Sequence, residues 1–370
     1  MNFHKLKSVF LIAAGLVAAA ACKKDEDETN VVYLKGSLKF SVPEFILPGE
    51  VLKMTPSGLT HPDNGEIGYC WKVTPSMTKY DTTRFENGLD KEGKASDGSI
   101  SYKFSDTLRT YTVYCYGFAE GYTSSSSSNS TTVVQPGPEG SVKGAGIDAE
   151  KDPYITVNGN KFYYTTIGKL DWFKQNLAYT KGGTPYRNAG PMDGVFGRYY
   201  SYNDAKDACP EGWRLPTDED WASLAEKAEG SEETYVHKEI PGIVSKLISN
   251  AYFQDIKMWE YWPAVGRPNN ETGLGIIPAG YSNLGLKNAE GVYASAKFTG
   301  VYEYATFWTA DKADEEGMAY YRYIYCEQPD FMIGKGDVNT FGASVRCVRE
   351  SNWRRSVIIQ EESKVERSRV

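Results

Sequence analysis

Apolar and polar positions alternate along the first third of the chain in short runs. Leu38-Lys39-Phe40-Ser41-Val42, Tyr69-Cys70-Trp71-Lys72-Val73 and Tyr111-Thr112-Val113-Tyr114-Cys115 each turn every second side chain to one face, as half-buried strands do. Pro48-Gly49-Glu50-Val51 marks a turn entering another strand. Beyond residue 150 the pattern changes. Tyr154 to Val157, Asn158-Gly159 and Lys161 to Tyr164 predict a hairpin closed by a type I′ turn. A helix is predicted from about Ser201–Asn203 to Cys209. A second follows Thr217 as N-cap, with Asp220 at N3, Trp221, Leu224, Ala225 and Ala228 at helical spacing, and Gly230 as the stop. Three aromatic strands are then expected: Phe307 to Thr309, Tyr320 to Tyr325 and Ala343 to Val348.

The spacing divides the chain. Residues 33–135 suit an all-β sandwich of the immunoglobulin or PKD kind. Ser124 to Ser128 reads as a flexible hairpin loop within it. Pro136-Gly137-Pro138-Glu139-Gly140, Gly144 and Gly146 mark a linker over 136–150. Residues 151–350 form a larger α+β domain, and 351–370 a charged tail. Alternation turns Trp71 and Val73 inward, which turns Cys70 outward, while Tyr111, Val113 and Cys115 share the inner face. The two parities disagree, so a Cys70–Cys115 disulfide stays open.

Residues 1–21 belong to export rather than to the fold. Lys5 and Lys7 precede an apolar run, Val9 to Ala21, too short to span a bilayer comfortably. Ala19-Ala20-Ala21-Cys22 resembles the lipobox of bacterial lipoproteins, in which Cys22 would carry lipid. Lys23-Lys24-Asp25-Glu26-Asp27-Glu28 opens an acidic tether over 22–32, similar to surface-export signals of some Gram-negative lipoproteins. The expected location is the outer membrane, lipid-anchored and facing outward. An oxidising compartment lets the five other cysteines pair, with at least one left over. A net charge of −7 leaves no footprint for nucleic acid.

A series of ordered blocks then narrows the reading. They are Thr166-Ile167-Gly168 with Trp172, Gln175-Asn176-Leu177, Gly197-Arg198-Tyr199-Tyr200, and Ala208-Cys209-Pro210-Glu211-Gly212-Trp213-Arg214-Leu215-Pro216-Thr217 with Asp220-Trp221. Pro278-Ala279-Gly280-Tyr281, Phe307-Trp308-Thr309, Tyr321-Arg322 and Ser344-Val345-Arg346-Cys347-Val348-Arg349 continue them. Over 151–350 the chain resembles the Fibrobacter succinogenes major paralogous domain (FISUMP) family. The resemblance implies a C-type-lectin-like fold related to the formylglycine-generating enzymes. On that scaffold Cys209 ends one helix and Cys347 lies on a terminal strand. A disulfide between them would close a loop of about 140 residues and contribute roughly 4–5 kcal/mol. Trp213 and Trp221 then read as core. Arg214 and Arg346, set in apolar runs, would hold buried carboxylates or carbonyls.

Chemistry is thinner than fold. The oxidase pair of the formylglycine-generating group needs a cysteine five positions before Cys347, where Gly342 stands. Past the signal only His61 and His237 remain, and no metalloprotease or Ser-His-Asp pattern occurs. Carboxylates are plentiful, but no spacing selects a catalytic pair. No catalytic residue and no cofactor is therefore assigned. Gln328-Pro329-Asp330 matches the galactose-type tripeptide of calcium lectins, but its Trp-Asn-Asp companion is missing, and a hairpin turn explains it as well. Cys326 reads as a bystander thiol. Nineteen of 27 tyrosines and six of eight tryptophans fall in 151–350. Trp259, Tyr261 and Trp262 stand in a polar stretch that runs through Asn269. Such rings stack on sugars or anchor protein interfaces, and they equally suit a core beneath long loops. The expected function is non-catalytic binding of a glycan or surface protein through loops 253–270 and 326–339, using Trp259, Tyr261, Trp262, Asn269, Gln328 and Asp330. The alternatives are an assembly component of a surface complex and, more weakly, a carboxylate enzyme.

Overall fold

The structure is a computed structural model that describes residues 31–75, 85–87, 97–138, 140–229, 234–259 and 265–351. The expected signal peptide, Cys22, most of the tether, Gly230, Tyr261, Trp262 and tail residues 352–370 lie outside them.

The first unit is built from nine strands: β1 (Lys35–Lys39), β2 (Phe45–Ile46), β3 (Val51–Met54), β4 (Ser57–Thr60), β5 (Gly68–Pro75), β6 (Phe85–Asn87), β7 (Ile100–Lys103), β8 (Thr110–Phe118) and β9 (Ser125–Val133). Five form one sheet in the order β2-β9-β8-β5-β6, and β1-β4 and β3-β7 form two ribbons. Leu38, Phe40, Met54 and Phe104 pack on Trp71, Val113 and Cys115 of the large sheet. Trp71 is fully buried, its indole N–H donates to the Gly98 carbonyl at 2.8 Å, and Phe40 meets it edge-on at 5.0 Å.

The register resolves the cysteine question. Trp71 stands opposite Cys115 and Cys70 opposite Tyr116, so the two thiols lie on opposite faces of one sheet. Both are free, which rules out the Cys70–Cys115 disulfide, and burial pushes the Cys115 thiol up to about 12. The serine run is not a loop. Ser125 to Thr132 pair residue by residue with β8, from Gly117↔Ser125 to Thr110↔Thr132. Serine favours turns weakly, and a ladder of eight pairs to a tyrosine-rich neighbour overrides that preference.

The remaining described residues add fifteen short strands and four α-helices. In order they are β10 (Val142–Lys143), β11 (Tyr154–Val157), β12 (Asn160–Ile167), β13 (Leu170–Phe173), β14 (Thr184–Pro185), α1 (Asp193–Phe196), β15 (Arg198–Tyr199), α2 (Tyr202–Ala205), α3 (Asp218–Glu229) and α4 (Val244–Leu247). Then come β16 (Tyr252–Phe253), β17 (Ile256–Lys257), β18 (Tyr281–Asn283), β19 (Lys297–Thr299), β20 (Tyr304–Lys312), β21 (Met318–Tyr325), β22 (Met332–Asp337), β23 (Phe341–Gly342) and β24 (Val348–Glu350). β10 lies in the segment read as linker and pairs with β16, which ties residues 142–143 to the body. Phe45 and Val134 share a core with Met192, Phe196 and Met258, and Arg187 pairs with Glu44.

Local rules hold where they are strongest. Asn158 and Gly159 both have positive φ (48° and 80°), as the type I′ turn between β11 and β12 requires. At the start of α3 the Thr217 hydroxyl accepts from Asp220 N (3.1 Å), and the Asp220 carboxylate accepts from Thr217 N (2.7 Å). That is a reciprocal capping box. Helix α2 is capped by Ser201, whose hydroxyl accepts from Asp204 N, but stops at Ala205, short of the predicted Cys209.

The two ends of this region meet. β24 pairs with β13 through Trp172↔Val348 and Asp171↔Arg349, and the Cys209–Cys347 disulfide spans 138 positions nearby. Trp172 and Trp221 lie 4.6 Å apart at the centre of the core, and Trp213 packs on Phe173. Arg214 bonds the capping carboxylate of Asp220. Arg322 is fully buried and forms a two-bond pair with Asp218 at 2.6 and 2.8 Å.

Candidate functional site: a tyrosine-lined groove

Strands β20, β21 and β22 form one antiparallel sheet in that order. Period-two alternation divides β21 into two faces. Tyr320, Arg322 and Ile324 face one way; Arg322 and Ile324 are buried there, and Tyr320 stacks on His237 at 4.2 Å. Tyr321, Tyr323 and Tyr325 face the other way. Opposite them on β20 stand Trp308, Thr306 and Tyr304, and on β22 Gly334 and Met332. Tyr281 of β18 and Phe341 of β23 close the side.

The result is a groove of about 480 Å³ lined by Tyr281, Tyr304, Thr306, Tyr321, Tyr323, Tyr325, Gln328, Met332 and Phe341. Its rings are mutually braced. Tyr304 stacks on Tyr325 (4.7 Å, 21°), Tyr321 stacks on Phe341 (4.5 Å, 29°), and Tyr281 meets Tyr304 edge-on at 5.6 Å. Two glycines make the arrangement possible. A Cβ at Gly334 would sit 2.6 Å from the Tyr321 ring, and one at Gly336 would sit 2.6 Å from Phe341 and 2.9 Å from Trp308. Without side chains there, the rings lie down over β22.

Among the described residues no charged side chain lines the groove. Burial pushes the Tyr321 hydroxyl up to about 12, with Tyr323 beside it adding to the shift. Desolvation and the neighbouring Glu327 carboxylate raise Tyr325 to about 12 as well. Tyr304 and Tyr323 are also raised, chiefly by desolvation. The phenols therefore stay neutral and keep their O–H donors at physiological pH. Thr306 donates to the Gly280 carbonyl at 3.0 Å.

The residues expected to bind ligand separate in space. Gln328 lines the groove. Asp330 does not: its Oδ1 accepts from Gly242 N at 2.9 Å and pins the β21–β22 turn. Asn269 is exposed and caps its own turn by accepting from Glu271 N. Trp259 is the clear correction. It is 1% exposed, and its indole N–H donates to the Ile276 carbonyl at 2.9 Å, so it packs in the core rather than standing on an exposed binding loop. Tyr261 and Trp262 lie outside the described residues. Among the described residues no three His, Cys, Asp or Glu side chains cluster as a metal site. Gly342 is buried against β18, where a Cβ would come within 3.0 Å of that of Ser282.

Pattern reading missed Tyr281, Tyr304, Tyr321, Tyr323, Tyr325 and Phe341. A signal was present in Tyr321-x-Tyr323-x-Tyr325, which puts three rings on one face of a strand, followed by Gly334-x-Gly336. Only the pairing of distant strands turns it into a groove.

No curated protein matches the chain, and no solved structure does. The family model of the Fibrobacter succinogenes major domain matches residues 165–349, a span that contains every groove residue, both disulfide cysteines and the α3 capping box. With half of its length accounted for in this way, the chain belongs to the Fibrobacter succinogenes major domain family.

Proposed function

We propose that this is a surface-exposed lipoprotein whose C-terminal module binds a neutral glycan in the tyrosine groove, without catalysis. The observation that carries the reading is the lining itself: five tyrosines and a phenylalanine in one open groove, with Thr306 and Gln328 but no charge among the described residues. Aromatic faces stack on the C–H faces of sugar rings, and phenols and amides trade hydrogen bonds with sugar hydroxyls. The volume falls in the range of about 300–1,000 Å³ typical of small-ligand sites, enough for a few sugar units. Glu239 and Glu327 lie close enough to Tyr323 and Tyr325 to raise their pKa values, which disfavours anionic sugars. In this reading the nine-strand unit is an immunoglobulin- or PKD-like spacer, the family domain is C-type-lectin-like, and lipid on Cys22 holds both at the outer membrane.

The test is a glycan array probed with the soluble chain from residue 23 onward, followed by titration calorimetry on the hits. Binding of neutral oligosaccharides that is weakened in Tyr325→Ala supports the reading. No glycan binding, together with constant co-purification of one membrane protein, replaces it with an assembly role.

A further inference from the structure

A second, smaller cavity lies where residues 136–138 and 142–147 meet the C-terminal body. Its volume is about 230 Å³, and among the described residues its lining includes Arg346, Lys174 and Lys161 but no Asp or Glu. Arg346 is 1% exposed. Its Nε donates to Asn176 Oδ1 at 2.8 Å, and its Nη1 donates to the carbonyls of Phe173 (3.0 Å) and Leu274 (2.8 Å). All three acceptors are uncharged, and no described residue accepts from Nη2. Burial pulls the guanidinium down to about 9, so it is still a cation at neutral pH.

The contrast with its neighbours is the point. Lys174 is held by Asp152 at 2.5 Å, and the other fully buried arginine, Arg322, has Asp218. Among the described residues Arg346 has no carboxylate. A buried cation without a counter-charge is costly, and guanidinium donors are matched best by carboxylate oxygens. Phe162, Phe196 and Ile277 give the same cavity apolar walls. Tyr179 also lines it, and burial together with nearby Asp193 raises that phenol to about 12, which keeps it a donor.

We propose that this cavity is a binding site for a small organic carboxylate, whose oxygens take the Nη2 donors of Arg346 while its carbon body rests on Phe162, Phe196 and Ile277. The volume limits the ligand to a short-chain or single-ring acid. Pro136, Pro138 and Val142 form one wall, so an occupied site clamps these residues to the body.

The experiment is thermal unfolding and calorimetry on the chain from residue 23 onward with acetate, succinate and benzoate. The controls are acetamide, benzamide, inorganic phosphate and chloride at matched ionic strength. At about 10 mM, at least one organic carboxylate should raise Tm by about 2 °C or more while its amide does not. Arg346→Met should lose the response. Because that variant also removes three structural hydrogen bonds and can fail to fold, Ala145→Phe serves as a second variant: it fills the cavity from the linker side and leaves Arg346 untouched. It should abolish the carboxylate response. A wild type that ignores every carboxylate, a benzamide response equal to that of benzoate, an equal response to phosphate or chloride, or a response that survives Ala145→Phe would each overturn the proposal.

Discussion

Replacing Asp218 by Asn tests whether the buried ion pair holds the loop over the β20–β22 sheet. All five guanidinium N–H groups of Arg322 are used. Nε and Nη2 donate to Asp218, Nη2 also to the Tyr235 carbonyl, and Nη1 to the carbonyls of Lys238 (2.6 Å) and Phe331. Asp218 Oδ2 further accepts from His237 N at 2.5 Å. An asparagine keeps one acceptor oxygen. Placed at the Oδ2 position, that oxygen satisfies Nη2 and His237, but its amide nitrogen then faces Nε, donor against donor. One buried hydrogen bond is lost, worth about 1–3 kcal/mol once desolvation is counted. The guanidinium also loses its counter-charge, and breaking one side of a buried pair costs about 3–5 kcal/mol in all. That is a large share of a typical stability of about 5–15 kcal/mol. Urea unfolding followed by tryptophan fluorescence should show the midpoint falling by roughly 1–2.5 M, at slopes of about 2–3 kcal/mol/M. Removing both charges in Asp218→Leu/Arg322→Met should cost clearly less than the sum of the two single changes, with a coupling above about 2 kcal/mol. A midpoint change worth under about 1 kcal/mol in Asp218→Asn, or additive singles, would falsify the argument.

Other consequences follow from the same geometry. Replacing Cys209 and Cys347 by Ala frees a loop spanning 138 positions and should cost about 5 kcal/mol in the chain-entropy model, read as the stability difference from the oxidised parent. Removing the Thr217 cap with Ala should cost about 1 kcal/mol by urea unfolding, since Asp220 N loses its acceptor. Tyr325→Ala should weaken glycan binding by about 0.5–1.5 kcal/mol or more in calorimetry without shifting Tm strongly, because the ring is partly exposed. The tyrosines also set an alkaline limit. The folded pKa values of Tyr321 and Tyr325 are raised to about 12, so the folded state holds those protons longer than the unfolded chain. Stability is then complete below about pH 10 and falls as pH rises toward 12. Absorbance at the phenolate band should show a fraction of tyrosines ionising only near pH 12 or with unfolding; full titration near 10 in the folded protein would contradict the burial argument.

Local patterns were legible wherever the cause was local. Asn158-Gly159 requires a turn with two positive φ values, Thr217 and Asp220 cap each other three residues apart, and the opposed parities of Cys70 and Cys115 follow from strand alternation alone. The Cys209–Cys347 bond was legible through family resemblance rather than spacing. Tertiary structure decided what depends on partners far away in the chain. Trp259 stands in a polar stretch yet is buried, because the Ile276 carbonyl and the surrounding core receive it. Ser125 to Ser128 form a strand because β8 supplies the ladder. Arg346 is a buried cation held by neutral oxygens because Phe173 and Asn176 on one stretch and Leu274 about a hundred positions away converge on it. The groove needs residues 281, 304, 306, 321, 323, 325, 328, 332 and 341 at once. Period and capping act over a few residues and can be read along the chain; side-chain convergence depends on long-range register, which only the folded sheet sets.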